Sequence, residues 1–269
     1  MRKRGGATGF TIIETLIFLA VSVAMLASVM FIFGGVQSRR QFSHSMRDID
    51  SKFQDIINDV SAGYFDELKG YTCNSGVGNS KPTFSAGASG QGTNLGCIFL
   101  GKVILLSPST KKDSIEISTV VGNRQKGSRD VSTYTEAYPT TVFNNTAPLI
   151  FDQTISYEIP WGVEVRSAKV NGADTYATGF YGSLANSSGG SATDSGAQKV
   201  VHFKHNITTP NNTRLALKNC ISTVGFCGFT PITHPWVICF WRGDPNETAQ
   251  LTIGGNGTLT TKLEFVSCT

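Results

Sequence analysis

The chain has 269 residues, a formal net charge of +4 and 16% charged residues, whereas ordinary soluble domains have about 25%. Arg2, Lys3 and Arg4 carry three of the positive charges, so the remainder is close to neutral and makes no general case for nucleic acid or an acidic partner. The low charge and the abundance of Gly, Ser, Thr and Asn favour a β-rich extracytoplasmic domain with long loops.

An uncharged apolar run from Thr15 to Val36 follows Glu14, and its length of about 22 residues suffices for a helix to cross a bilayer core. Inserting a carboxylate at membrane depth costs about 2.5–3.5 kcal/mol of free energy, and charged residues at such positions usually serve a function, so we expect Glu14 to be functional. The next basic residues along the chain are distant, and an uncut chain is expected to leave Glu14 unpaired. A cut after Gly9 would give Phe10 a free α-amine about one helical turn from Glu14, near the positive end of the helix dipole.

The stretch Gly9-Phe10-Thr11-Ile12-Ile13-Glu14 with its apolar run resembles the class III leader of type IV pilins and type II secretion pseudopilins. In that family a prepilin peptidase cuts after the Gly and N-methylates the new Phe, and the Glu is needed for assembly. The resemblance implies cleavage between Gly9 and Phe10, an assembly role for Glu14, and a prokaryotic source. The implied partners are the prepilin peptidase, other pilin or pseudopilin subunits, and the membrane. Many pilins have a Pro midway along the span, where this chain has Phe31.

Two other interpretations of the amino terminus explain less. A secretory signal has a shorter apolar core with a small-residue cleavage site after it, and a generic single-pass anchor leaves Glu14 unexplained. The positive-inside rule places Arg2, Lys3 and Arg4 in the cytoplasm. We therefore expect a single-pass protein with a cytoplasmic amino terminus and an extracytoplasmic carboxy-terminal domain, which later enters a pilus or pseudopilus.

The helical pattern continues beyond the membrane segment. An apolar stripe recurs at steps of four and three residues, formed by Phe42, Met46, Ile49, Phe53, Ile56 and Val60. The stripe is shorter than three heptads, which favours packing against the chain's own β-domain over a coiled coil, and Gly63 can end the helix. The predicted organisation is a leader peptide (1–9), a transmembrane or assembly helix (10–36), an amphipathic helix continuing it (37–63) and an exported β-rich globular domain (64–269).

Beyond residue 63 the sequence favours strands and loops. Residues 71–96 are rich in Gly, Ser and Asn and predict a loop. The strand candidates are 97–106, 114–121, 154–159, 163–165, 200–203, 214–217, 236–241, 249–253 and 259–265. Turn-rich links join the last three into an antiparallel meander, and no alternation of strands and helices suggests a parallel sheet. The predicted fold class is α+β, with a long N-terminal helix packed on a C-terminal antiparallel β-sheet domain. Residues 159–163 and 253–257 are similar to stretches of the H-type minor pseudopilin and its minor-pilin relatives.

All the cysteines lie beyond the apolar run: Cys73, Cys97, Cys220, Cys227, Cys239 and Cys268. An even number in an exported domain predicts up to three disulfides. A zinc site needs paired short spacings, which this sequence lacks. Sequence proximity suggests pairing Cys73 with Cys97 and Cys220 with Cys227, which leaves Cys239 for Cys268.

Known catalytic motifs are missing from the sequence: it has no Gly-x-Ser-x-Gly, phosphate loop, His-Glu-x-x-His or dinucleotide fingerprint. We therefore expect no enzyme, no cofactor and no metal site. His202 and His205 would point to opposite faces of a strand, and His234 precedes a proline. All three are expected at the surface.

The sequence thus predicts a minor pilin or pseudopilin, a structural subunit of a type IV pilus-like filament assembled from the membrane. Two alternatives stay open. One is a pilin-like binding subunit at a filament tip, gripping DNA or a surface through loops, with Arg124, Lys126 and Arg129 as the basic residues to test. The other is a single-pass membrane protein unrelated to filaments.

Overall fold

A computed structural model describes residues 11–63, 71–76, 80–87, 96–107, 111–144, 151–184, 200–210, 213–222, 230–244, 247–255 and 259–268. Gly9, Phe10 and Cys227 lie outside this part of the chain. The chain divides into two compact units, Met1–His44 and Ser45–Thr269. Helix α1 (Ile12–Ser61) comes first, and antiparallel sheets dominate the rest, which confirms the predicted α+β class.

The remaining elements are mostly short strands. In chain order they are β1 (Tyr71–Asn74), β2 (Thr83–Ala86), β3 (Cys97–Leu106), β4 (Ser114–Asn123), β5 (Gln125–Lys126), β6 (Arg129–Asp130), α2 (Tyr134–Ala137), β7 (Thr140–Thr141), β8 (Phe143–Asn144), β9 (Phe151–Asp152), β10 (Ile155–Glu158), a 3-10 turn (Pro160–Gly162), β11 (Glu164–Val170), β12 (Ala173–Asp174), β13 (Ala177–Gly182), β14 (Val200–Lys204), α3 (Arg214–Ser222), β15 (Thr230–Pro231), β16 (Trp236–Trp241), β17 (Thr248–Ile253) and β18 (Thr261–Glu264).

Helix α1 carries the predicted apolar stripe and ends where the sequence indicates. All six stripe residues are buried. Gly63 has a φ of 64°, a left-handed conformation that suits glycine after a helix, and its N–H donates to the carbonyl of Val60 at 3.1 Å. The helical periodicity of the sequence was therefore sufficient to predict both the buried face and the end of this helix.

In the described part of the chain, two large antiparallel sheets and three two-stranded ones, β1-β2, β5-β6 and β8-β9, form the β-domain. The larger has seven strands in the order β10-β4-β3-β13-β14-β15, with β7 also paired to β4. The smaller has the order β12-β11-β16-β17-β18, so the meander predicted for the last three strand candidates is confirmed.

From Ser45 onward, α1 contacts both sheets. Phe53 meets the fully buried Trp236 of β16 edge-on, with ring centroids 5.9 Å apart, a favoured aromatic geometry. Asp59 forms an ion pair with the buried Lys102 of β3 at 2.7 Å. The hydroxyl of Tyr157 on β10 donates to the carboxylate of Asp48. These contacts explain why the amphipathic stripe is buried within the chain itself.

Three predictions of secondary structure were wrong or incomplete. Part of the predicted loop 71–96 forms the hairpin β1–β2. The predicted strand 214–217 is the start of helix α3. Strand β13 was not predicted, because its two glycines resemble turn residues. Gly179 is required there by close packing, since a Cβ atom would lie 2.3 Å from Tyr181 Cε2.

Disulfides connect segments of the β-domain. The structure joins Cys73 to Cys97, the pairing expected from sequence proximity, and Cys239 to Cys268, the pairing that remained. Cys220 is also disulfide-bonded, and no cysteine in the described part is free. The Cys73–Cys97 bridge lies in a small core with Val121 and Val142, which fixes the β1–β2 hairpin to the larger sheet.

Candidate functional site

The first part of α1 is an apolar helix whose side chains are exposed. The segment Ile12–Met30 has a mean hydropathy of 2.3 and none of it is buried inside the protein. It is apolar enough to cross a membrane, and an exposed apolar surface of this extent marks a region that contacts a membrane or a partner. The segment therefore fits a single-pass membrane protein.

Hydroxyl groups within this segment are satisfied by the helix itself. Thr15 Oγ1 donates to the carbonyl of Ile12, and Ser22 Oγ to that of Phe18, each at 2.8 Å. Ser28 makes the same type of bond. Because each hydroxyl is bonded within the helix, it can enter hydrocarbon without an unsatisfied polar group.

Glu14 caps the helix that contains it. Its Oε2 accepts hydrogen bonds from the backbone N–H and the hydroxyl of Thr11, both at 3.1 Å. In return, the Thr11 hydroxyl accepts from the Glu14 N–H at 3.4 Å. This reciprocal pattern is a capping box. The Thr-x-x-Glu spacing before an apolar run was the sequence signal for it. These hydrogen bonds do not provide the cationic partner that Glu14 is expected to lack in an uncut chain.

The cap satisfies hydrogen bonds but does not neutralise the carboxylate. Thr11 contributes a backbone N–H and a hydroxyl, and both remain after a cut between Gly9 and Phe10. A charge at the beginning of an apolar helix is therefore present in either form of the chain, and it still requires a cation when water is excluded.

The basic segment Arg124–Arg129 forms a small exposed hairpin rather than a concentrated positive site. Strands β5 and β6 pair through Gln125 and Lys126. Arg129 forms an ion pair with Glu136. Hydrogen bonds from Arg129 and Ser132 lower the pKa of Glu136 to about 2, so this carboxylate offsets one of the three positive charges. The hairpin adds no specific support for binding nucleic acid.

The predicted surface position of His202 and His205 was wrong. The two rings are 6% and 1% exposed. His202 stacks on Phe180 with centroids 4.7 Å apart, and His205 Nε2 lies 2.9 Å from the Tyr181 hydroxyl. Burial lowers the pKa of His202 to about 3 and that of His205 to about 4. Since Phe180 and Tyr181 are consecutive in β13, the rings lie on opposite faces of the sheet, and both faces are covered.

A cleft opens between the larger sheet and α3. Its volume is about 430 Å³, and it is lined by Lys111, Ser114, Glu116, Phe143, Ser156, Thr213, Arg214 and Leu215. Arg214 forms ion pairs with Glu116 and Asp152. Sequence reasoning missed this site because it assigned residues 214–217 to a strand and because the lining residues are distant along the chain.

Comparison with family models, curated proteins and solved structures found no match to this chain. Within the described part of the chain, no group of three His, Cys, Asp or Glu side chains is placed to hold a metal ion. The features that bear on function are the apolar helix with its capped carboxylate, the disulfide-bonded β-domain and the cleft beside α3.

Proposed function

We propose that the chain is a minor pilin or pseudopilin, a structural subunit of a type IV pilus-like filament. The observation that carries the proposal is the composition of α1. Its first part is apolar and exposed, with Glu14 in its first turn, and its second part packs on a disulfide-bonded β-domain. The Gly9-Phe10 junction immediately before this helix supports the same interpretation.

In this proposal the apolar part of α1 has two successive environments. Before assembly, Ile12–Met30 spans the membrane, with the amino terminus in the cytoplasm and the β-domain on the other side. During assembly it leaves the lipid and packs against the same segment of neighbouring subunits. Apolar surface is buried in both states, so contacts between helices offset the loss of contacts with lipid.

Glu14 sets the register of each subunit against its neighbours in the assembled helical bundle. Prepilin peptidase exposes the α-amine of Phe10, and Glu14 neutralises the amine of a neighbouring subunit. A buried carboxylate without a cation costs several kcal/mol, so misaligned subunits are disfavoured. The capping box contributes separately by fixing the beginning of the helix, and losing such a cap costs about 0.5–2 kcal/mol.

Two substitutions separate the charge from the cap. Glu14→Gln removes the charge, but Gln can still accept the hydrogen bonds of a capping box. Glu14→Ala removes both. We expect both variants to remain in the membrane fraction, because the change removes a group that lipid disfavours. We expect both to be depleted from sheared filaments. Ser22→Ala is the matched control within the same segment and should be incorporated normally.

Each other outcome has a distinct meaning. Normal incorporation of Glu14→Gln with loss of Glu14→Ala would leave only the cap and refute the charge role. Normal incorporation of both would refute any assembly role for Glu14. Loss of a variant from both fractions would assign Glu14 to folding or processing. Genes for an assembly ATPase and a prepilin peptidase beside this one would support the filament function over an unrelated single-pass protein.

A further inference from the structure

The cleft beside α3 is built from a sheet face and a helix. Ser156 of β10 lies opposite Glu116 of β4 in the register, so the two side chains share a face. Ser114, two residues before Glu116, shares it too, with its hydroxyl 3.4 Å from that of Ser156. Arg214 and Leu215 of α3 close the other side. The volume, about 430 Å³, is within the usual range for small-ligand sites.

One carboxylate oxygen of Glu116 has no partner among the described residues. The residue is 7% exposed, and its Oε1 pairs with Arg214 Nη2 at 2.8 Å. Its Oε2 is buried and accepts no hydrogen bond from the described residues. A buried acceptor without a donor is costly, and the cost is higher for a charged group. Because Glu116 lines the cleft, a ligand N–H or O–H group that reaches this oxygen would supply the missing donor.

The charged groups in and around the cleft carry no surplus positive charge, because two cations contact three carboxylates. Arg214 contacts two carboxylates, those of Glu116 and Asp152. Lys111 pairs with Glu158 at 3.4 Å. Each cation that lines the cleft therefore has a carboxylate partner, and no surplus positive charge favours a phosphate or a carboxylate ligand. An anionic ligand is therefore disfavoured.

The other lining groups combine hydroxyls with apolar carbon. Ser114, Ser156 and Thr213 contribute hydroxyls, and Phe143 and Leu215 contribute apolar surface. Ligand sites are typically apolar with a few placed polar groups that fix orientation. A ligand that matches this lining has several hydroxyls and one face of C–H groups.

We propose that this cleft binds a neutral polyhydroxylated ligand, such as one sugar unit of a glycan. A ligand hydroxyl donates to Glu116 Oε2, and the C–H face of the sugar packs on Phe143 and Leu215. The inference does not depend on the filament proposal, because the cleft is a feature of the β-domain whether or not the chain enters a filament.

The cleft lies on the sheet face that does not meet α1 from Ser45 onward. Tyr157, next to Ser156 on β10, donates its hydroxyl to Asp48 of α1. Side chains alternate between faces along a strand, so Ser156 and Glu116 lie on the face directed away from this part of α1. This part of α1 therefore does not cover the cleft.

The test uses the full chain in lipid nanodiscs. Saturation-transfer difference NMR is recorded in titrations with D-glucose, D-galactose, D-mannose and N-acetyl-D-glucosamine. We expect saturable binding of at least one sugar. Glu116→Gln should weaken it by about tenfold or more, because a hydrogen bond to a charged acceptor is lost. Glu264→Gln is the matched control, since it makes the same chemical change in an ion-paired residue of the smaller sheet, and it should leave binding unchanged.

A second variant keeps the proposal testable if Glu116→Gln fails to fold. Leu215→Ala alters a side chain that is 41% exposed, so the fold should persist, and we expect sugar binding to weaken severalfold. Near-ultraviolet circular dichroism checks the fold of each variant. The proposal is overturned if none of the four sugars binds, if folded cleft variants bind as wild type does, or if cadaverine binds at the cleft in place of every sugar.

Discussion

Acidification should destabilise the β-domain through two buried histidines. His202 and His205 have pKa values of about 3 and about 4 in the folded chain because burial disfavours the charged ring, against about 6.5 in an unfolded chain. A group whose folded pKa is depressed contributes stability above its unfolded pKa. That contribution is lost as the pH falls below about 6.5 toward the folded values.

The size of the effect follows from these pKa values. A pH of about 5 is about 1.5 units below the pKa of the unfolded rings, which are therefore mostly protonated, whereas the folded rings are still mostly neutral. Each histidine therefore lowers the free energy of unfolding by about 2 kcal/mol between pH 7.5 and pH 5, and the pair by about 4 kcal/mol. Domains of ordinary stability have about 5–15 kcal/mol in total, so the loss is large.

The groups around the two histidine rings do little to stabilise their protonated, charged form. His202 packs on Phe180 and Trp236, and His205 on Tyr181. The Nε2 atom of His202 is buried, with no hydrogen-bond partner in the described part of the chain. His205 further lowers the pKa of His202 by charge repulsion, and burial raises that of Tyr181 well above its usual value. The hydroxyl of Tyr181 therefore remains neutral and supplies no negative charge to a protonated ring.

Urea unfolding of the full chain in detergent micelles, followed by tryptophan fluorescence, measures this loss. Trp236 is fully buried and its ring centroid lies 5.9 Å from that of His202, so its emission reports unfolding near the histidines. His202→Phe keeps a ring on Phe180 but cannot titrate, and it should halve the loss to about 2 kcal/mol. His234→Gln, at an exposed position, should keep the full loss. An unfolding free energy that is the same at both pH values, or an unaltered loss in His202→Phe, would refute the reasoning.

Three further predictions concern processing and disulfides. Mass spectrometry of the mature protein should find N-methyl-Phe10 at the amino terminus, and an intact Met1 would contradict the pilin interpretation. Thiol labelling of the denatured, unreduced protein should find no free cysteine, and two or more labelled cysteines would contradict full pairing. Replacing Cys73 and Cys97 together by Ala should lower the free energy of unfolding by about 2–4 kcal/mol, as for typical disulfides. Unchanged urea midpoints would show that this bridge adds no stability.

The sequence by itself determined the elements whose physics is local. The length and periodicity of α1, its buried stripe and its end at Gly63 follow from spacings of three and four residues and from one glycine. The C-terminal meander follows from short turns that bring consecutive strands together. The capping box of Glu14 was also readable from a spacing of three residues, although we did not predict it.

Tertiary structure decided what depends on partners distant in the chain. The segment of four residues that starts at Arg214 is too short for its hydrophobic periodicity to distinguish a strand from a helix. The ion pair of Arg214 with Glu116 holds that segment beside β4. The burial of His202 depends on strands β13 and β16, which supply Phe180 and Trp236. Local sequence sets the periodicity of each element, but only long-range packing decides which faces of the elements are removed from water. That packing is what buries the Oε2 atom of Glu116 and the Nε2 atom of His202.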